Sequence, residues 1–223
     1  LGFSGDVTFI YPGSGSLYPA AGRELFTRYP GSLKATLAHS GDLFAQFGSP
    51  QRWESSASIP SDPIDGILTQ VSLGCIGTDL LLGCGITPRR AAGHSLGETT
   101  MLFAMRAWRD RRGMHQRLRE NDLFTTWLSG QHRAAACAWN LPSGTVASWQ
   151  VAVINASEDE VLRAISGCSR LHLLVVNADQ ETVVGGDPQQ LEQVARSNNW
   201  TILPLEGVTA VHCDLVDQVA SEY

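Results

Sequence analysis

The chain has 223 residues, a formal net charge of −6, 43% hydrophobic residues and 17% charged residues. These values are typical of a globular protein and exclude a disordered chain. The acidic balance argues against a general nucleic-acid binder, which needs a basic face to neutralise phosphates. The sequence lacks the ~20 uninterrupted apolar residues of a membrane span and the basic and apolar regions of a signal peptide. We therefore expect a cytoplasmic protein that binds neither nucleic acid nor membrane.

The cysteines and histidines do not follow a metal-binding pattern. The five cysteines are odd in number and include no Cys-x-x-Cys pair, and the six histidines are scattered without ligand spacing. Reduced thiols are the expectation for such a set. The sequence predicts no disulfide framework and no metal site.

The first half of the chain alternates apolar strands and helices. The predicted elements are a strand over 7–11, a glycine-rich turn over 12–16, a helix starting over 22–26, weak helical signals over 30–62 with a Ser/Pro-rich loop over 55–63, a long apolar helix over 67–82, a strand over 89–93 and a helix over 96–108. This order predicts an α/β protein with a parallel sheet.

The second half changes character. The predicted elements are a strand over 149–154, a helix over 158–165 capped by Ser157, strands over 171–176 and 182–184 joined by a turn over 177–180, a helix over 188–198 and a strand over 201–205. The order β-α-β-β-α-β is the ferredoxin-like motif. We interpret residues 134–205 as a subdomain inserted into a core of residues 1–133 and 206–223, and we expect that core to continue beyond the given sequence.

Residues 93–98, Gly-His-Ser-Leu-Gly-Glu, place one serine between two glycines, after a short strand and before a helix. This pattern is typical of a nucleophile elbow, in which a sharp strand-to-helix turn exposes the serine Oγ. The helix that starts there directs its N–H groups at the reacting centre. Ser95 is therefore the candidate nucleophile for acyl chemistry. The alternative is a glycine-rich turn with an ordinary serine, since the chain contains 22 glycines.

A serine nucleophile needs a base, and histidine is the usual one. The candidates are His39, His94, His115, His132, His172 and His212. His94 adjoins Ser95 but projects differently, so it is interpreted as a pocket wall, and His172 alternates within a strand, which is more often structural. His212 follows the nucleophile and the inserted segment, as the base does in α/β hydrolases. The residues alone favour His212 without excluding the others.

An oxyanion needs two preorganised donors. The backbone amide of Leu96, directly after the nucleophile, is the first, and a loop after an early strand supplies the second. The turn over 12–16 suits that role, although it is also consistent with a plain tight turn. A phosphate-binding P-loop is excluded, because no Gly-Lys-Ser/Thr follows.

Four segments resemble the malonyl-CoA:acyl-carrier-protein transacylases, which include the acyltransferase domains of fatty acid and polyketide synthases. Residues 9–16 are similar to the family's Phe-Pro-Gly-Gln-Gly-Ser-Gln opening, and residues 93–98 match its Gly-His-Ser-x-Gly-Glu elbow. Residues 176–186 resemble its Asn…Gln-x-Val-Ile-Ala/Gly-Gly segment, and residues 209–213 fall where it carries the catalytic histidine. The opening and residues 98–103 look most like acyltransferases of polyunsaturated fatty acid synthases.

The resemblance implies an α/β-hydrolase-like core and a transfer reaction through an acyl-serine. Ser95 and His212 would be catalytic, the amides of Leu96 and Ser14 would hold the oxyanion, and the acyl group, malonyl favoured, would pass from CoA to the phosphopantetheine thiol of an acyl carrier protein. No metal or tightly bound cofactor is implied, and other synthase domains are expected partners. The substrate-binding residues implied are Gln70, His94, Arg117, Arg119, Asn177 and Val211.

Two features depart from the family's pattern. The family's loop glutamine is Ser14 here, and counting from Ser95 to the family's carboxylate-binding arginine reaches Glu120, with Arg117 and Arg119 just before it. The arginine-rich segment 106–119 is either a solvated helix end or a docking patch for CoA phosphates or an acidic carrier protein. A serine thioesterase or hydrolase would use the same residues, and a non-catalytic scaffold domain is a third possibility.

Overall fold

The computed structural model describes residues 5–40 and 60–220, so most of the predicted loop over 55–63 lies outside the described residues. The chain separates into two compact units, residues 1–120 and 121–223. This division differs from the predicted domains, because residues 121–133 and the segment after 206 pack within the second unit.

The first unit contains two strands and several helices. In chain order these are β1 (Thr8–Tyr11), α1 (Arg23–Arg28), α2 (Pro30–Ser40), α3 (Pro63–Gly83), β2 (Arg90–Gly93), α4 (Leu96–Ala104) and α5 (Arg111–Glu120). Strands β1 and β2 pair in parallel, with Tyr11 opposite Gly93. The predicted strands, the long helix and the start of the elbow helix are confirmed. Helix α5 is an addition, because the arginine-rich segment was interpreted either as a solvated helix end and loop or as a docking patch, and neither alternative predicted a helix over 111–120.

Helix α3 begins before the predicted position because a proline and a cap specify its start. Asp62 is the N-cap, and its side chain accepts from the Ile64 N–H at 2.9 Å, while Pro63 occupies the first turn. By length and apolar composition α3 is also long enough to cross a membrane, a test that the core helix of a soluble protein passes as well. Its buried residues Val71 and Cys75 belong to the same cluster as Phe9 of β1 and Phe103 of α4.

Helix α4 ends at Ala104, four residues before the predicted end. Arg106 adopts a left-handed backbone with φ 62°, and its guanidinium donates to the carbonyls of Phe103 at 3.1 Å and Ala104 at 3.3 Å. A cation that caps the last carbonyls stabilises a helix C-terminus. Asp79 of α3 pairs with Arg106 and holds it there. The hydrophobic pattern of the sequence does not predict that the helix ends at Ala104.

The second unit combines helical turns with a four-stranded sheet. Its elements are a π-helical turn (Leu123–Trp127), α6 (Arg133–Ala138), β3 (Gln150–Ile154), α7 (Glu158–Ile165), β4 (Leu171–Ala178), β5 (Glu181–Gly186), α8 (Pro188–Ser197), β6 (Ile202–Leu205) and a 3-10 helix (Asp214–Gln218). Leu128 and Ala135 share a buried cluster with Ala210 and Leu215, which explains why both flanks of the sheet segment belong to this unit.

The sheet is antiparallel with the order β4-β5-β3-β6, and α7 and α8 connect its strands in the order β-α-β-β-α-β. Helix α7 begins where predicted, with Ser157 and Glu160 in a reciprocal capping box. The turn between β4 and β5 is shorter than predicted. Asn177 and Ala178 still belong to β4, since ladder hydrogen bonds continue to the Ala178–Glu181 pair.

Candidate active site

Ser95 lies at the turn between β2 and α4. Its backbone has φ 53° and ψ −121°, in a region that non-glycine residues rarely occupy. The His94 N–H donates to the Tyr11 carbonyl at 3.0 Å, and the Gly97 N–H donates to the His94 carbonyl at 2.8 Å. The backbone on both sides of Ser95 is therefore held, which lets a strained conformation persist. This is the geometry of a nucleophile elbow.

Close backbone packing explains the two glycines of the elbow. A Cβ atom on Gly97 would lie 2.0 Å from the Tyr11 carbonyl oxygen, and one on Gly93 would lie 2.2 Å from the Glu98 nitrogen. No side chain can occupy such positions without moving the backbone. The strand end, the turn and the start of the helix fit together only because both positions lack a side chain.

The loop over 12–16 packs directly against the elbow. A Cβ atom on Gly13 would lie 2.8 Å from His94 Nδ1 and 3.3 Å from Ser95 Cβ. The loop that the sequence associated with the oxyanion is therefore next to the candidate nucleophile. His94 is exposed and lies beside this loop.

Gln70 of α3 holds the same loop from the other side. Its side chain is only 7% exposed. Its Nε2 donates to the Pro12 carbonyl at 3.3 Å and to Ser16 Oγ at 3.4 Å. Ser16 Oγ in turn donates to the Gly13 carbonyl. The structure thus gives this polar residue of an apolar helix a specific partner, the loop beside Ser95.

The sequence predicts two backbone amides as oxyanion donors, those of Leu96 and Ser14. The Leu96 N–H is the first of α4, a position without an intrahelical acceptor, and it lies at the positive end of the helix dipole. Ser14 is exposed and follows Gly13, whose backbone contacts the elbow. Both predicted donors thus belong to segments that meet at Ser95.

The arginine-rich segment is divided between buried and exposed side chains. Arg111 is 2% exposed and donates to Ser72 Oγ of α3, and burial lowers its pKa. Arg119 pairs with both Asp62 and Asp65 at the start of α3. Partial burial alone would lower the pKa of Arg119, but its hydrogen bonds to Asp62 and Asp65 and the charges of both carboxylates together raise it. Both ends of its guanidinium fork are therefore occupied, whereas Arg117 lies on the exposed side of α5.

His212 belongs to the second unit, and its backbone also has a positive φ of 62°. The segment is attached on both sides of the residue. Two residues earlier, the Ala210 N–H donates to the Leu128 carbonyl at 2.8 Å, and Ala210 is fully buried. Two residues later, Asp214 begins the 3-10 helix, whose Leu215 is 1% exposed. His212, whose side chain is exposed, thus lies between two attached residues, Ala210 and Leu215.

The other predicted residues of this unit have different surroundings. Val211 is half-buried and packs against the cluster that contains Ala210 and Leu215. Asn177 is exposed at the end of β4, and its Nδ2 donates to Glu181 Oε1 at 3.0 Å. The structure therefore places Val211 beside His212, while Asn177 is engaged across the β4–β5 turn.

Among the described residues, one group combines metal-ligand side chains. These are His172, Cys213 and Asp214, whose ligand atoms lie within 4.8 Å of one another. His172 Nδ1 already donates to Asp214 Oδ1 at 2.9 Å. Burial raises the pKa of Cys213 to about 11, which disfavours the thiolate that a metal needs. These observations support a hydrogen-bonded pair better than a metal centre.

Sequence reasoning did not identify the pairing of His172 with Asp214. His172 was interpreted as a structural residue of a strand, and the two residues are 42 positions apart in the chain. The only local signal was that Asp214 follows His212 by two positions. Ser16 was likewise named only as part of a turn, although it contacts both Gln70 and Gly13.

The sequence is similar to segments of much longer synthases, although no family model matches the chain. It is 28% identical over 233 residues to the non-reducing polyketide synthase pgmA of Aspergillus terreus, with 97% of this chain and 9% of the relative covered. It is 27% identical over 167 residues to a polyunsaturated fatty acid synthase of a Thraustochytrium species, with 70% and 8% covered. The chain thus spans less than a tenth of the length of these relatives.

Solved structures share the fold. The acyltransferase domain of the polyketide synthase PpsC of Mycobacterium tuberculosis matches with a TM-score of 0.68 and 20% identity, covering 91% of this chain and 57% of that one. An acyl-carrier-protein S-malonyltransferase of Burkholderia pseudomallei matches with a TM-score of 0.68 and 21% identity, covering 97% and 68%. A malonyl-transacylase in complex with an acyl carrier protein matches with a TM-score of 0.68 and 18% identity, covering 98% and 68%.

The resemblance predicted from the four motifs is therefore confirmed: the chain has the α/β fold of polyketide synthase acyltransferase domains and of malonyl-CoA:acyl-carrier-protein transacylases, and its sequence is similar to segments of polyketide and polyunsaturated fatty acid synthases.

Proposed function

We propose that this chain is an acyltransferase that moves an acyl group, malonyl favoured, from CoA to the phosphopantetheine thiol of an acyl carrier protein. The observation that carries the proposal is the strained backbone of Ser95 at the start of α4, with the loop over 12–16 packed against it. The similarity to polyketide and polyunsaturated fatty acid synthases supports the substrate class. The similarity to a malonyl-transacylase in complex with a carrier protein supports the partner.

In the first half-reaction, Ser95 Oγ attacks the carbonyl carbon of the acyl-CoA thioester, and its proton passes to His212. The amides of Leu96 and Ser14 donate to the oxyanion that forms, which stabilises the tetrahedral intermediate. The carbon–sulfur bond then breaks, and the CoA sulfur takes the proton from the imidazolium. The products are an acyl-serine ester and free CoA.

In the second half-reaction, the thiol of the carrier protein gives its proton to His212 and attacks the ester carbonyl. The ester bond to Ser95 breaks, and Oγ recovers its proton from the imidazolium. Thioester and ester are exchanged without a change in oxidation state, so the proposal requires neither a metal nor a tightly bound cofactor. Transfer within a larger synthase in the cytoplasm is the setting that we propose.

We further propose the finer architecture that this function implies. The β1–β2 pair with α3 and α4 forms part of an α/β-hydrolase-like core, and the sheet of β3 to β6 forms a ferredoxin-like subdomain. The parallel pairing of β1 with β2 and the β-α-β-β-α-β order support this assignment.

The acyl group depends on which side chain receives it. A malonyl carboxylate pairs well with a bidentate guanidinium. Arg119 already binds Asp62 and Asp65, so it would have to release both carboxylates to serve this role. Arg117 is exposed and is the better of the two predicted candidates. We propose Gln70 and His94 as further residues that shape the substrate site, since both contact the loop over 12–16.

The proposal is tested by intact-mass measurement of the chain after incubation with malonyl-CoA, methylmalonyl-CoA and uncharged acyl-CoAs, followed by addition of a carrier protein. We expect a malonyl adduct on the wild type that transfers to the carrier thiol. Ser95→Ala should form no adduct, and His212→Gln should form it at least about 100-fold more slowly. The matched control His115→Gln should behave as the wild type.

The other outcomes identify the alternatives. Hydrolysis of the adduct without transfer to the carrier would assign a thioesterase or editing hydrolase instead. No adduct with any acyl-CoA in the folded wild type would contradict the proposal and leave a scaffold role. An adduct confined to long uncharged acyl chains would overturn the malonyl preference.

A further inference from the structure

His172 and Asp214 connect the strand β4 to the segment that carries His212. His172 Nδ1 lies 2.9 Å from Asp214 Oδ1, and because a carboxylate can only accept, the proton of this hydrogen bond belongs to Nδ1. His172 is largely buried within the sheet, whereas Asp214 is 77% exposed. We therefore regard His172 as the fixed member of the pair. Through Asp214, it holds the segment that follows His212 in the chain.

The imidazole of His172 is itself oriented by an aromatic neighbour. Its ring centroid lies 5.9 Å from that of Trp149, with 33° between the planes. Trp149 stacks on Trp139 and His132 as well, and it packs against Gly185 of β5. A ring in such a cluster cannot turn freely, so Nδ1 keeps its direction toward Asp214.

The backbone of His212 needs this support. A non-glycine residue at φ 62° is in a sparsely occupied region and relaxes unless its flanks are fixed. The flank before it is fixed by the hydrogen bond from Ala210 to Leu128. The flank after it is fixed by the burial of Leu215 and by the His172–Asp214 hydrogen bond. The latter contact acts through the polar side chain of Asp214, two residues after His212.

We infer that His172 is a positioning residue: through Asp214 it holds the His212 segment in the backbone conformation that presents the imidazole for proton transfer. This inference rests on the proposed function, because it assigns His212 as the base. It is separable from that function, since the orientation of an imidazole can be measured without any acyl transfer.

The test uses the full chain with two readouts, the NMR signal of the His212 ring in histidine-labelled protein and the rate of acyl-serine formation. His172→Phe keeps a buried ring against Trp149 but removes the donor, and Asp214→Ala removes the acceptor at an exposed position. We expect both to shift or broaden the His212 signal and to slow acylation about fivefold to tenfold without changing KM. The double variant should be no slower than either single one.

Conservative variants separate positioning from packing. His172→Asn carries a donor close to the position of Nδ1 and should restore the signal and most of the rate. Asp217→Ala, an exposed carboxylate in the same 3-10 helix, is the matched control and should change neither readout. Treatment with EDTA should also have no effect, because the contact is a direct hydrogen bond.

Several results would overturn the inference. An unchanged His212 signal in both His172→Phe and Asp214→Ala would show that the pair does not position the base. Failure of His172→Asn to recover would assign the effect to ring packing, and loss of the signal in EDTA would replace the hydrogen bond by a bound cation. A wild type that forms no acyl-serine while its His212 signal responds to His172→Phe would refute the proposed function and leave the positioning intact.

Discussion

The Gln70 side-chain amide donates to the Pro12 carbonyl at 3.3 Å and so connects the middle of α3 to the loop beside Ser95. The two residues are 58 positions apart. A glutamine in an apolar helix would be costly to bury without a partner, and the loop supplies two acceptors. The polar residue therefore holds the loop in which the second oxyanion donor is predicted.

Replacement of Gln70 by leucine tests this connection. The loop over 12–16 loses its side-chain anchor, so the Ser14 amide is less well placed and acyl-serine formation should slow by about tenfold. The rate is followed by mass spectrometry under single-turnover conditions. Gln116→Leu, which removes only an exposed contact to Glu120, is the control and should retain the wild-type rate. Equal rates for the two variants would contradict a role for Gln70 at the site.

Two glycine-to-alanine variants should have opposite effects on stability. At Gly97 the new Cβ atom would meet the Tyr11 carbonyl oxygen at 2.0 Å, which forces β1 and α4 apart. We expect the free energy of unfolding to fall by about 3 kcal/mol or more. At Gly77 of α3, no atom of the described residues lies within 4 Å of the new Cβ, apart from the backbone of the helix itself. Alanine there favours the helix by about 0.5–1 kcal/mol. Urea unfolding followed by circular dichroism measures both, and a tolerated Gly97→Ala would refute the close packing of the elbow.

Burial of His132 makes the second unit sensitive to acid. Burial lowers the pKa of His132, although a hydrogen bond to the Leu128 carbonyl opposes this. Because the folded pKa lies below the unfolded value of about 6.5, the unfolded chain takes up the proton first. The contribution of neutral His132 to the stability of the folded state is therefore complete above about pH 6.5, and it is lost as the pH falls through the lower folded pKa.

Melting temperatures of the wild type and of His132→Phe, measured from pH 7.5 to pH 5, test this dependence. Phenylalanine keeps the stack on Trp149 but does not titrate. The wild type should lose more stability than the variant over this range. His39→Phe, at an exposed position of α2, serves as the control and should keep the slope of the wild type. Parallel curves for all three proteins would exclude His132 as the titrating group.

Cys213 should react slowly with alkylating reagents despite its position next to an exposed histidine. Its pKa of about 11 leaves little thiolate at pH 8. Cys84 and Cys137 are exposed and should be alkylated first by iodoacetamide, as peptide mass mapping would report. The rate at Cys213 should rise only as the pH approaches its pKa. Preferential labelling of Cys213 at pH 8 would mean that the thiol is less buried than the structure indicates.

Much of the fold follows from local patterns. The strand β1 and the starts of α4 and α7 were predicted because alternation, a glycine pair and a capping box each act within a few residues. The candidate nucleophile Ser95 was predicted for the same reason. The early end of α4 was not, because it depends on Arg106 meeting Asp79 of α3. Likewise, the extension of β4 through Ala178 depends on ladder partners in β5.

The sequence by itself indicated the α/β class, predicted an elbow at Ser95 and favoured His212 among six histidines. The first two follow from short-range patterns, namely apolar periodicity and glycine at a tight turn. The preference for His212 follows from the order of the motifs along the chain. Only the tertiary structure decided that Gln70 serves the loop over 12–16, that the fork of Arg119 is occupied and that His172 holds Asp214. Each of these joins residues more than 40 positions apart, so the partner is set by how the elements pack. For the largely buried Gln70 and His172, the need to satisfy a buried polar group contributes as well.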